Sequence, residues 1–145
     1  MPDVFDKAKR SDVMSRIRGH GNKGTELALM QLFRIHRINS WRRRQPVFGR
    51  PDFVFPKLKV AVFVDGCFWH GCPRHSNLPV KNRPFWQRKL KGNKLRDRRV
   101  NRLLRAQGWV VLRIWEHELT RRNELKALKR IRIALALAAV LDRRM

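Results

Sequence analysis

The run Lys59-Val60-Ala61-Val62-Phe63-Val64 constrains this chain more than any other segment. It is rich in β-branched residues and nearly all apolar, the pattern of a strand buried on both faces of its sheet. Asp52-Phe53-Val54-Phe55, set between the Gly49-Arg50-Pro51 turn and Pro56, predicts a neighbouring strand. The two would pair antiparallel through a two-residue turn at Lys57-Leu58. Trp109 to Trp115 predicts another buried strand. Leu27, Met30 and Phe33 follow Thr25, a suitable N-cap, and predict an amphipathic helix to about His36. A charged helix is expected from Phe85 to Gln107, carrying Leu90, Leu95, Val100, Leu103 and Leu104 and stopped by Gly108. A last helix runs from Asn123 to Asp142, and Cys67 to Pro84, punctuated by Gly and Pro, is loop. The first 24 residues are polar, with a short helix around Ser11 to Arg18. They read as a flexible arm that contacts the ligand. The sum is one α/β layered domain over residues 1–145, with no repeat and no linker.

Charge names the class of partner. Thirty-five Lys and Arg against 11 Asp and Glu leave +24. A surface that positive favours a polyanion, and nucleic acid is the first expectation. The longest apolar run, Ile133 to Leu141, is far too short to span a bilayer, so no membrane role is expected. No apolar secretory segment opens the chain, and its two cysteines lie five positions apart. A cytoplasmic protein with metal-binding or catalytic thiols is expected rather than a disulfide scaffold.

Three clusters carry chemistry. Asp52 opens one strand and Asp65 closes the next. Two carboxylates converging at a sheet edge repel unless a cation lies between them, and Mg²⁺ takes one or two carboxylates plus phosphate oxygens and water. The plainer reading is that each aspartate caps a turn. Glu26, in the first turn of its helix, also suits the helix dipole. The second cluster is Cys67-x₄-Cys72-x₂-His75, three soft or borderline ligands on one loop. A structural zinc ion wants four, and His117 at the end of the last strand is the candidate fourth. The plainer reading is two buried thiols and two surface imidazoles. His70 is either a further ligand or a general acid or base. The third cluster sets Phe68-Trp69 and Phe85-Trp86 beside the basic run Lys89 to Arg105, which includes Arg98 and Arg99. Backbone contacts plus aromatic wedges into a base stack fit that mixture. Trp109 and Trp115, in strand-like runs, are expected in the core, and Asp97 in a helix-face ion pair.

Several segments together resemble the very short patch repair endonucleases. They are Met14-Ser15-Arg16-Ile17-Arg18, Gly49-Arg50-Pro51-Asp52-Phe53-Val54 and Val62-Phe63-Val64-Asp65-Gly66-Cys67-Phe68-Trp69-His70. Phe85-Trp86, Asn93 with Arg96-Asp97-Arg98-Arg99, and Gly108 to Glu116 extend the likeness over nearly the whole chain. The resemblance implies a restriction-endonuclease-like three-layer fold, a short mixed sheet flanked by helices. It also implies an endodeoxyribonuclease that cuts 5′ to the thymine of a G:T mismatch left by deamination of 5-methylcytosine. The family's metal-binding aspartate falls on Asp52, its main-chain carbonyl ligand on Val64, its catalytic histidine on His70 and its helix glutamate on Glu26. The wedge maps to Phe68, Trp69 and Trp86, and zinc ligands to Cys67 and His117; Cys72 and His75 rest on spacing. Asp65 stands where the best-known members carry histidine, which moves the site toward a two-carboxylate metal centre.

The expected mechanism is phosphodiester hydrolysis by metal-activated water. Mg²⁺ is held by Asp52, Asp65 and the Val64 carbonyl, His70 moves a proton, and Glu26 orients a water. The expected setting is a monomer on duplex DNA in the bacterial nucleoid, linked to a cytosine-5 methyltransferase. A restriction-like defence nuclease and a non-catalytic zinc-stabilised DNA-binding protein are the alternatives.

Overall fold

The computed structural model describes residues 23–67 and 80–143. The N-terminal helix and arm lie outside the described residues, as do Phe68, Trp69, His70, Cys72 and His75. Helix α1 is Lys23–Ile35, and strands β1 to β3 are Arg42–Arg43, Phe53–Phe55 and Val60–Asp65. Helix α2 is Arg83–Ala106, β4 is Val110–Trp115, a 3₁₀ turn covers Glu116–Leu119, and α3 is Glu124–Arg143.

The strands form one mixed sheet in the order β1-β2-β3-β4. β2 and β3 pair antiparallel, with Phe53 opposite Val62 and Phe55 opposite Val60. β3 and β4 pair parallel, with Phe63 opposite Arg113 and Asp65 opposite Trp115. All six residues of β3 are buried, as a strand without polar alternation requires. The turn between β2 and β3 is longer than the two residues expected. The ladder closes at Phe55 and Val60, so Pro56 to Lys59 all lie in the turn. Pro56 has no N–H to give the ladder, and Lys59 takes a left-handed conformation at φ 57°. Edge strand β1 was not foreseen, because Arg42-Arg43 carries no apolar signal.

Alternation sorts the strand residues onto two unlike faces. Phe53, Phe55, Val62, Val64, Leu112 and Ile114 face α1 and α3, where Leu29, Leu32, Phe33, Ala127, Leu128 and Ile131 complete the main core. Ala61 and Phe63 face α2, where Val100 and Leu104 join them in a small buried cluster. Helix layers on both sides of a mixed sheet make the restriction-endonuclease-like architecture. Two glycines shape the α2 side. Gly108, at φ 90°, ends α2 in a Schellman arrangement: its N–H bonds Arg105 O and the Trp109 N–H bonds Leu104 O, both at 3.0 Å. Gly49, at φ 81°, lets the β1–β2 loop lie against α2, since a Cβ there would meet Val100 Cγ1 at 2.4 Å.

Candidate active site

Among the described residues of this strongly basic chain three acidic ones are buried: Glu26 at 6 %, Asp52 at 7 % and Asp65 at 5 % exposure. Each arrives on a different element. Glu26 sits in the first turn of α1, Asp52 immediately precedes β2, and Asp65 ends β3. Asp52 lies one residue beyond the last β2–β3 pair, and its Oδ2 accepts the Val64 N–H at 2.7 Å. The side chain thus takes a ladder bond that the main chain of β2 no longer supplies. A strand residue's N–H and C=O point to the same neighbour, so the Val64 carbonyl is directed to this same edge.

The three carboxylates are compensated unequally. Glu26 is bound by the Arg43 guanidinium of β1, which also lies over the Phe53 ring at 5.9 Å. Asp65 accepts two bonds from Arg113 Nη1, at 2.9 and 3.2 Å. Among the described residues Asp52 has no cationic partner. Burial pushes its carboxyl up to about 7, helped by a hydrogen bond with Glu26 and by the charges of Glu26 and Asp65, and opposed by the Val64 amide. A divalent cation at Asp52 would offset that desolvation, so the carboxylate and the Val64 carbonyl suit Mg²⁺. Among the described residues no three His, Cys, Asp or Glu side chains form a ready metal cage. The remaining ligands would come from main chain, water, phosphate or residues outside that set.

An open cleft of about 410 Å³ leads to Glu26 and Asp52 and is walled by Gln45, Pro46, Val47 and Pro51. Arg44 and Arg50 also line it, and both hold left-handed backbone, at φ 52° and 54°. Such conformations cost energy in non-glycine residues and here sit beside the buried acids.

Side chains of the 3₁₀ turn bind Cys67, two residues beyond β3. Glu116 Oε1 accepts the Cys67 N–H at 2.8 Å, and Cys67 Sγ lies 3.3 Å from His117 Nδ1. The His117 carbonyl accepts bonds from Thr120 Oγ1 and Asn123 Nδ2, both at 3.0 Å. A buried thiol beside an imidazole nitrogen is the donor pair a zinc ion takes, and it fits half of a tetrahedral site. Trp115, expected in the core, is only half-buried and stacks on His117 at 6.5 Å between centroids. Trp109 packs in part against the smaller core cluster. Trp86 and Phe85 meet edge to face in the first turn of α2, where Phe85 stays exposed. Arg98 and Arg99 are exposed further along the same helix.

Sequence reasoning overlooked Arg43, Arg113 and Glu116. Each acquires its role from a partner 17, 48 or 49 positions away. The one available hint was Arg113 itself, a charged residue inside an otherwise apolar strand.

The family profile described as DNA mismatch endonuclease Vsr matches residues 2–76. The type II nicking enzyme V.NaeI of Lentzea aerocolonigenes is 56 % identical over 115 residues, spanning 77 % of this chain and 69 % of that protein. The DNA mismatch endonuclease Vsr of Escherichia coli is 36 % identical over 128 residues, spanning 86 % and 80 %. The type II nicking enzyme V.XorIIP of Xanthomonas oryzae is 34 % identical over 130 residues, spanning 88 % and 93 %. The profile covers the strand pair that carries Asp52 and Asp65, and these relatives run through most of the remaining elements. The chain belongs to the Vsr family of DNA endonucleases.

Proposed function

We propose that this protein nicks one strand of duplex DNA 5′ to the thymine of a G:T mismatch, in a Mg²⁺-dependent reaction. Two kinds of name among its relatives support this reading, one specifying nicking and the other mismatch recognition. The observation that carries the chemistry is Asp52, a buried carboxylate without a cationic partner among the described residues, fixed by the Val64 amide at the edge of a +24 protein. Mg²⁺ bound there would acidify a water molecule and offset charge developing on the phosphate.

The residues divide the remaining work. Asp52 and the Val64 carbonyl would hold the cation. Glu26, fixed by Arg43, accepts a hydrogen bond from the attacking water and orients it. His70 assists proton transfer as the water oxygen bonds to phosphorus and the sugar oxygen leaves. Cys67 and His117, joined by Cys72 and His75, would hold a structural zinc ion that adds to folding stability. Phe68, Trp69 and Trp86 open the stack beside the mismatch, while Arg98 and Arg99 bind phosphate. The protein acts as a monomer on the nucleoid and repairs lesions created where a cytosine-5 methyltransferase has worked.

One experiment tests this function. A G:T duplex and its matched counterpart are incubated in Mg²⁺ or EDTA with the parent protein and with Asp52→Asn. Nicking of the mismatched duplex alone, abolished by EDTA and lowered at least on the order of 10³-fold by the substitution, is expected. Equal cutting of both duplexes would refute mismatch direction, and full activity in EDTA would refute the metal. Metal analysis of the purified protein tests zinc separately, with one ion per chain expected.

A further inference from the structure

Arg113 occupies an unusual place for a strand residue. Asp52, Phe63 and Arg113 form one row across β2, β3 and β4, because Phe53 pairs with Val62 and Phe63 pairs with Arg113. Alternation turns all three side chains, and that of Asp65, to the α2 face. Strands lie ~4.8 Å apart, so Arg113 starts only two spacings from Asp52, a span of ~10 Å that an extended arginine side chain largely covers.

The guanidinium is also rigidly held. It lies over the Phe63 ring at 4.1 Å, Nε donates to Asn101 Oδ1 at 2.7 Å, and Nη1 serves Asp65. Asp97 Oδ1 is a further 3.5 Å from Nη1. Nη2 makes no hydrogen bond among the described residues. Two carboxylates, an amide and an aromatic face are more than a surface arginine needs. They suit a cation that must point one donor edge in a set direction.

We propose that Arg113 is the phosphate-binding cation of this nuclease site, and that Asp65 anchors Arg113 instead of ligating the metal. The inference rests on the reading of Asp52 as the metal-binding carboxylate. Both oxygens of Asp65 accept from one guanidinium nitrogen, which draws its charge toward Arg113 and away from a cation at Asp52. The Nη2 edge of Arg113 binds a non-bridging oxygen of the scissile phosphate and is most useful as negative charge grows there. Asp97 and Asn101 connect this arginine to α2, the helix whose exposed face carries Arg98 and Arg99.

The test separates metal binding from phosphate binding. Thermal unfolding is followed across a Mn²⁺ series for the parent protein, Asp52→Asn and Asp65→Asn, without DNA. The parent melting temperature rises with Mn²⁺, Asp52→Asn abolishes the rise, and Asp65→Asn keeps its midpoint within about twofold. Binding of a G:T duplex in EDTA is then measured across a salt series for Arg113→Met and Arg113→Lys. Arg113→Met loses about one unit of salt slope and nicks on the order of 10²-fold more slowly, and Arg113→Lys recovers the slope and part of the rate. A Mn²⁺ midpoint weakened tenfold or more in Asp65→Asn would make Asp65 a ligand and overturn the proposal. An unchanged salt slope with near-parental nicking in the Arg113 variants would also overturn it. If Arg113→Met does not fold, Arg113→Lys and the Asp65→Asn titration still decide. Absence of any Mn²⁺ effect on the parent protein would instead remove the Asp52 reading beneath it.

Discussion

The two faces of the sheet are built on opposite principles. Toward α1 and α3, Phe33 meets Phe53 edge to face at 5.4 Å and Phe55 at 5.8 Å, within a continuous apolar layer. Toward α2, a small apolar patch gives way to Asp65, Arg113, Asp97 and Asn101 joined by hydrogen bonds and ion pairs. The first face stabilises without discriminating, because burial of apolar area is non-directional. The second spends desolvation energy to fix charges in particular places. A small domain can carry such a face only because its other face is so thoroughly apolar.

The most forceful way to break the contrast is Phe33→Ala. Removing a fully buried ring at the centre of the apolar face should cost about 3–5 kcal/mol in urea unfolding. Nicking per folded molecule should stay within about twofold. A selective loss of turnover at unchanged stability would show that the two faces are not separable.

Asp52→Asn probes the other side with the opposite sign. A carboxyl held near 7 when folded, against 3.8 otherwise, binds its proton more tightly in the folded chain. Folded stability therefore falls as pH climbs from 3.8 to about 7, and the deficit persists above it. In EDTA the asparagine variant should be more stable than the parent by on the order of 4 kcal/mol at pH 8 and by clearly less at pH 5. A parent and variant with parallel stability–pH curves would show that Asp52 titrates normally.

Gly49→Ala tests how the cleft wall is seated on α2. A methyl group in left-handed backbone against Val100 should cost about 1–3 kcal/mol. The paired change with Val100→Ala should recover part of that loss, and strict additivity would place the cost in the backbone alone. The smallest effect belongs to the exposed cations. Arg98→Ala and Arg99→Ala should each flatten the salt slope of duplex binding by about one unit while leaving stability within ~0.5 kcal/mol.

Much of this organisation was legible before any coordinates. β3 and β4 announced themselves because a run of Val, Ile, Leu and Phe in a chain this basic has no other stable location. Asp52 stood out as a carboxylate against such a run, and Gly108 as a helix stop. β1 was hidden because two arginines in a short edge strand follow no hydrophobic pattern. Arg113 was hidden because its partners come from β3 and from α2, and a long-range charge pair leaves no periodicity. The turn runs from Pro56 to Lys59 rather than over Lys57-Leu58 alone, because Pro56 cannot donate to the ladder and Lys59 takes left-handed backbone.

The parallel pairing of β3 with β4 has a kinetic consequence. Asp52 and Asp65 belong to a local hairpin, whereas Arg113 reaches them only after the whole of α2 has crossed between the two strands. Contacts so distant along the chain close slowly, since loop entropy must be overcome before they form. On a growing polypeptide the hairpin can therefore form first, and the Asp65–Arg113 ion pair is expected to close after it.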